Sequence, residues 1–208
     1  CGALPTLAEM SRRQRAKMAR KGDAEIDAVA QLEAAVAQLE TEAQYELGLK
    51  HAKGDGVPRD WVAARRLFGA AAAQGHAGAQ ASFGFVLEMG HGGKVDVVEA
   101  RRQYQLAAAQ RCPRAQGTLA ELYECGSLGM KKDLAEARRL YHLAAAQGDA
   151  ISQNNLAYMH EHGRGGAVTV AEARVSARRL YGLAADQCNV AAQFNLAYMH
   201  KKGEGGPV

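Results

Sequence analysis

His160-Glu161-His162 places two imidazoles and a carboxylate within three residues, which are ligand types of a zinc site. On a helix, however, positions two apart point to different faces, and the pattern is not His-Glu-x-x-His. Met89, Cys125 and His162 hold equivalent places in a recurring pattern. Stacked helices lie about 8–10 Å apart, which keeps such residues from sharing one ion. The four cysteines, Cys1, Cys112, Cys125 and Cys188, have no paired spacing. Cys112 and Cys125 flank an expected helix of about twelve residues, which sets them roughly 18 Å apart, beyond disulfide reach. Unbridged cysteines favour a reducing, cytoplasmic compartment. No glycine-rich phosphate loop, Ser/His/Asp set or Cys/His set carries a catalytic signature. The expectation is a non-enzymatic chain with no metal and no cofactor.

Arginine pairs recur at Arg65/Arg66, Arg101/Arg102, Arg138/Arg139 and Arg178/Arg179. A phosphate-binding stripe is one reading of them. Acids stand close by, at Asp60, Glu99, Glu136 and Glu172, so a solvated outer face with local ion pairs is the expectation, and no nucleic acid partner is expected. Near the start, Arg12, Arg13, Arg15, Lys17, Arg20 and Lys21 form a basic segment, while every charged residue from Asp23 to Glu46 is acidic. That segment reads either as a solvated entry helix or as a contact for an acidic partner or a membrane surface.

The elements that must hold these residues follow from internal repetition. Gln44, Gln80, Gln116, Gln153 and Gln193 are 36, 36, 37 and 40 residues apart, and ten residues after each stands a glycine: Gly54, Gly90, Gly126, Gly163 and Gly203. A second block, Ala-Arg-Arg-x-Phe/Tyr, starts at Ala64, Ala100, Ala137 and Ala177 and runs into alanine-rich ends closing on Gln74, Gln110, Gln147 and Gln187. Each unit reads as helix, loop, helix. Gln153, Leu156, Ala157 and His160 share one face of the first helix, and Ala64, Leu67, Phe68 and Ala71 share one face of the second. The loop Gly54-Asp55-Gly56-Val57-Pro58-Arg59-Asp60 is a turn cluster that ends on a candidate N-cap. The spacing predicts helices near 44–53, 60–74, 80–89, 96–110, 116–125, 133–147, 153–162, 172–187 and 192–202, preceded by an N-terminal helix. Four extra residues before Ala177 predict a longer loop or a longer helix at 168–176. The composition agrees: of 208 residues, 48% are hydrophobic but only 6% aromatic, which suits close-packed helices. A net charge of +4 is too small to argue nucleic acid binding, and no apolar run approaches a membrane span.

The period, the Gly-Asp-Gly-Val-Pro-Arg-Asp loop, the Ala-Arg-Arg-x-Tyr block and the Ala-Ala-x-Gln-Gly ending resemble the Sel1-like repeat (SLR) family, a relative of the tetratricopeptide repeat. The resemblance covers residues 43–208. It implies an all-α fold, a right-handed α/α superhelix (solenoid), and a role as a protein–protein interaction scaffold or adaptor. It divides the chain into residues 1–42, a basic segment and capping helix, and an array of 43–78, 79–114, 115–150, 151–190 and an incomplete 191–208. His51, His160 and His200 stand where the family usually has a buried tyrosine, which implies core packing. Some algal-type members carry a zinc-binding RING-like module before the repeats. Cys1 as its last ligand gives the alternative reading, the substrate- or partner-binding part of a ubiquitin-ligase or degradation complex. On this reading the chain is a fragment of a longer protein.

With the inward positions assigned, the first, second, fifth and eighth residues after each glutamine are expected to face outward on the concave side. The rows are Tyr45, Glu46, Leu49, Ala52; Ala81, Ser82, Phe85, Glu88; Gly117, Thr118, Glu121, Glu124; Asn154, Asn155, Tyr158, Glu161; and Phe194, Asn195, Tyr198, Lys201. Amides pair with a peptide backbone and rings supply apolar area at little entropy cost. Asn154, Asn155, Tyr158, Phe194, Asn195, Tyr198 and Phe85 are therefore the candidate peptide-binding residues. The partner they imply is a protein or peptide.

Overall fold

The computed structural model describes residues 38–166 and 169–204. The basic segment 12–21, most of the expected capping helix and Cys1 lie outside the described residues. The chain divides into two compact units, Cys1–Ala43 and Gln44–Val208. Among the described residues all regular structure is helical: α1 over 38–53, α2 Trp61–Ala73, α3 Ala77–Met89, α4 Val97–Ala109, α5 Pro113–Cys125, α6 Leu134–Ala146, α7 Ala150–Glu161, α8 Val170–Asp186 and α9 Val190–Lys202. From α2 onward each helix packs chiefly on its neighbour in sequence, which is the organisation of a helical solenoid.

The second helices begin where the turn clusters predict. The Asp60 carboxylate accepts from the amides of Val62 (2.8 Å) and Ala63 (3.0 Å), and Asp96 and Asp133 cap α4 and α6 in the same way. The Ala63 amide is the main reason that the Asp60 carboxyl sits below its ordinary range. Helix α8 starts on a capping box between Thr169 and Glu172. It runs for 17 residues where α2, α4 and α6 have 13, so the four extra residues lengthen the helix by about one turn.

The first helices of the later units start earlier than the spacing predicts, at Ala77, Pro113, Ala150 and Val190. The reason is the cap. His76, Asp149 and Asn189 each accept from a backbone amide three residues on, at 2.9, 2.8 and 3.0 Å. At the fourth such site Cys112 makes no side-chain cap bond, and Pro113 begins the helix.

The junction between units is a tight left-handed cap. The amides of His76, Cys112, Asp149 and Asn189 reach back to the carbonyls of Ala71, Ala107, Ala144 and Ala184, which closes a Schellman turn. The residue before each has positive φ. It is glycine at Gly75 (88°) and Gly148 (91°), but Arg111 (64°) and Cys188 (62°) adopt the same conformation. A Cβ in that region costs roughly 1 kcal/mol. Arg111→Gly and Cys188→Gly are therefore each expected to stabilise the array by about 0.5–1 kcal/mol, since both side chains are exposed. Urea unfolding would measure this. A loss of stability in both variants would mean that those side chains hold contacts that outweigh the backbone strain.

Candidate functional site

Three sets of side chains repeat through the array, and two of them are structural. In the first set, the opening glutamines of the three middle units, Gln80, Gln116 and Gln153, are buried, and each joins three helices. Gln116 donates to the carbonyl of Ala108 on the preceding helix (3.3 Å) and accepts from Gln147 at the end of its own unit (2.8 Å). Gln80 and Gln153 do the same with Ala72 and Gln110, and with Ala145 and Gln187. The two glutamines of the repeat signature are thus the two ends of one hydrogen bond.

The second set is a tyrosine–glutamate brace. Tyr104, Tyr141 and Tyr181 donate to Glu88, Glu124 and Glu161 at 2.8, 3.0 and 2.9 Å. Burial, with the carboxylate adding to it, pushes each phenol well above its usual range. The first unit has Phe68 and Ala52 at these places, so the hydroxyl and its acceptor are missing together. Glu88, Glu124 and Glu161, expected to face outward, are partly buried and committed to this brace.

The third set is the surface row. Asn195 donates to Asn154 (3.1 Å), Asn154 to Asn155 (3.1 Å), and Asn155 to Glu121 (3.3 Å) and to the Tyr141 hydroxyl (3.3 Å). An amide chain therefore crosses α9, α7 and α5. Its members are partly exposed, and beside them stand Tyr158, Phe194 and Tyr198, exposed by 41%, 72% and 45%. The Tyr158 ring packs on His162 with centroids 4.1 Å apart, and the Lys202 ammonium sits 4.4 Å over Tyr198.

The outward expectation fails in the earlier rows. Ala81, Ser82 and Gly117 are buried. They are small because successive first helices approach closely there. A Cβ on Gly117 would lie 2.6 Å from the Ser152 hydroxyl oxygen, and Ala81 packs with Ala107 and Ala115. Phe85 does not join the asparagine row. It is partly buried against His91, which stacks on Trp61 at 4.2 Å.

The arginine pairs divide their roles, which the repeat pattern alone did not reveal. Arg102 and Arg139 form the expected ion pairs with Glu99 and Glu136, at 2.8 and 2.6 Å. In the first two pairs the first member turns to a loop one unit on: Arg65 donates to the carbonyl of Lys94 (2.9 Å) and Arg101 to that of Leu128 (3.1 Å). Arg138 instead meets the His160 ring, 3.4 Å from Nδ1. The histidines expected in the core are not fully buried: His51 and His160 are partly buried, and His200, on α9 with its ring beside Arg178 (3.2 Å), is exposed. Cys112, Cys125 and Cys188 are free thiols, and among the described residues no His, Cys, Asp and Glu side chains gather as a metal site. Nor is any described helix long and apolar enough to cross a membrane.

Comparison with known proteins adds to this geometry. The Sel1 repeat pattern matches residues 41–76, 77–112, 113–149, 150–187 and 190–208. A crystal structure of a protective antigen present in uropathogenic Escherichia coli strains, displaying an SLR fold, is similar at a TM-score of 0.69 and 34% identity. The match covers 83% of this chain and 36% of that one. A Sel1 repeat protein from Oxalobacter formigenes matches with a TM-score of 0.70 and 31% identity, over 82% of this chain and 66% of that one. The chain thus spans about a third of the first relative and just under two thirds of the second. No curated protein matches it at a comparable level. These matches identify no catalytic domain.

Proposed function

The chain belongs to the Sel1 repeat family, and from that premise we propose that it is a non-enzymatic adaptor whose concave face, carried by the first helices of its units, binds a segment of a protein partner. The observation that supports this is the row on α7 and α9. Three aromatic rings stand exposed beside a chain of asparagine amides that already spans neighbouring units. Covering one such ring contributes roughly 1.5–3 kcal/mol, so three of them suffice for a specific contact. The amides provide donors and acceptors for the backbone of an extended or helical segment.

A partner captured by the full-length protein provides the test. Asn154→Ala/Asn195→Ala is expected to weaken its binding about tenfold while costing the fold no more than about 1–2 kcal/mol, because both amides are partly exposed. Unchanged affinity in this variant and in Phe194→Ala/Tyr198→Ala would remove the surface from consideration and leave the fold assignment untouched.

A further inference from the structure

A second surface, made by the other helices, differs in kind from the asparagine row. Between α6, α7 and α8 lies a cleft of about 830 Å³. Its rim carries Arg138, Arg139, His142, His160 and Arg179, and no carboxylate lines it. Arg139 is held by Glu136, but Arg179 and His142 make no hydrogen bond or ion pair with the described residues. The floor is apolar. Leu156 and Leu180 are buried there, while Leu183 is 42% exposed. The positive field converges inside: the His160 imidazole is held below its ordinary range first by burial, then by Arg138, His142 and Arg179.

The array contains its own control. The corresponding cleft one unit earlier, of about 600 Å³, has Tyr123 in the place of His160, and Glu136 lines it. There one carboxylate, Glu136, stands against Arg111 and Arg139. The later cleft gathers more basic side chains, Arg138, Arg139, His142, His160 and Arg179, around the exposed Leu183, with no carboxylate in its lining.

We propose that the cleft between α6 and α8 docks an acidic segment of a protein partner, with carboxylates meeting Arg138, Arg179 and His142 and an apolar side chain covering Leu183 and the floor beneath it. The planar guanidinium forks suit carboxylates, and a leucine floor has no use for a bare anion. A nucleic acid strand fits less well. No Phe, Tyr or Trp lines the cleft, and Arg65, Arg101, Arg102 and Arg139 along the array are engaged by loop carbonyls or by Glu99 and Glu136. The surface is independent of the asparagine row, and its failure would leave that reading intact.

The test selects binders to the whole chain from a display library of random short peptides. Enriched peptides are expected to carry Asp or Glu next to Leu, Ile or Phe. A labelled peptide of that kind is expected to bind Arg179→Glu/His142→Glu at least tenfold more weakly, to lose affinity as salt rises, and to bind Asn154→Ala/Asn195→Ala as it binds the unchanged protein. Both side chains reversed in charge are exposed, and circular dichroism checks that the helices persist. Selection without acidic enrichment, or equal binding by the charge-reversed variant, would overturn the proposal. So would displacement of the peptide by inorganic phosphate or by single-stranded DNA at similar concentration, which would reassign the cleft to another ligand class.

Discussion

Tyr141→Ala is expected to cost about 3–5 kcal/mol of stability, and Tyr141→Phe about 1–2 kcal/mol. The ring is completely buried in the main core, among Ala, Leu and Met side chains of the neighbouring helices, so truncation leaves a cavity that helices anchored on both sides cannot close. The phenylalanine variant removes only the hydroxyl. Two hydrogen bonds go with it, but Glu124 keeps Arg164 and Asn155 keeps Glu121, so neither partner is left without one and the cost stays at about 1–2 kcal/mol. The first unit shows that the exchange is tolerable as a pair, since Phe68 stands there opposite Ala52. Urea unfolding followed by circular dichroism separates the two variants. Equal losses for both would mean that the hydroxyl, and not the ring, carries the contribution of this residue.

Ala137→Leu is expected to cost roughly 1–3 kcal/mol by forcing α6 away from its neighbour. Ala64, Ala100, Ala137 and Ala177 hold the same place in successive units, and all four are fully buried. The spacing at that crossing is visible at Gly84, where a Cβ would come within 2.9 Å of the Tyr104 ring and 3.2 Å of the Ala100 carbonyl oxygen. A leucine brings three more carbons into such a contact. Ala135→Leu on the same helix is the control: Ala135 is exposed, and the change is expected to stay within about 0.5 kcal/mol. Equal behaviour of the two variants in unfolding measurements would contradict the crossing described here.

The sequence by itself determined the helices, their order and much of their core. Recurring glutamines and glycines set the period, Asp60 and its equivalents marked where second helices begin, and Ala64, Phe68, Leu156 and Ala157 were legible as buried because position on a helix face follows from spacing along one chain. The glutamine spacing placed the starts of the first helices too late, because Asp149, Asn189 and Pro113 begin them ahead of the repeated glutamine. Only the tertiary structure decided what two units do to each other. It buried Ala81, Ser82 and Gly117 because a neighbouring helix comes close enough to cover them, and it left Phe194 open at the place equivalent to Ala81 and Gly117. It joined Asn195 to Asn154 across 41 residues, sent Arg65 and Arg101 to distant loop carbonyls, and gathered Arg138, His142, His160 and Arg179 around one cleft. Periodicity assigns a residue its direction from its own helix axis. Exposure, pairing and charge balance depend on the distance to the next helix, which small differences in side-chain size set and which no single-chain spacing encodes.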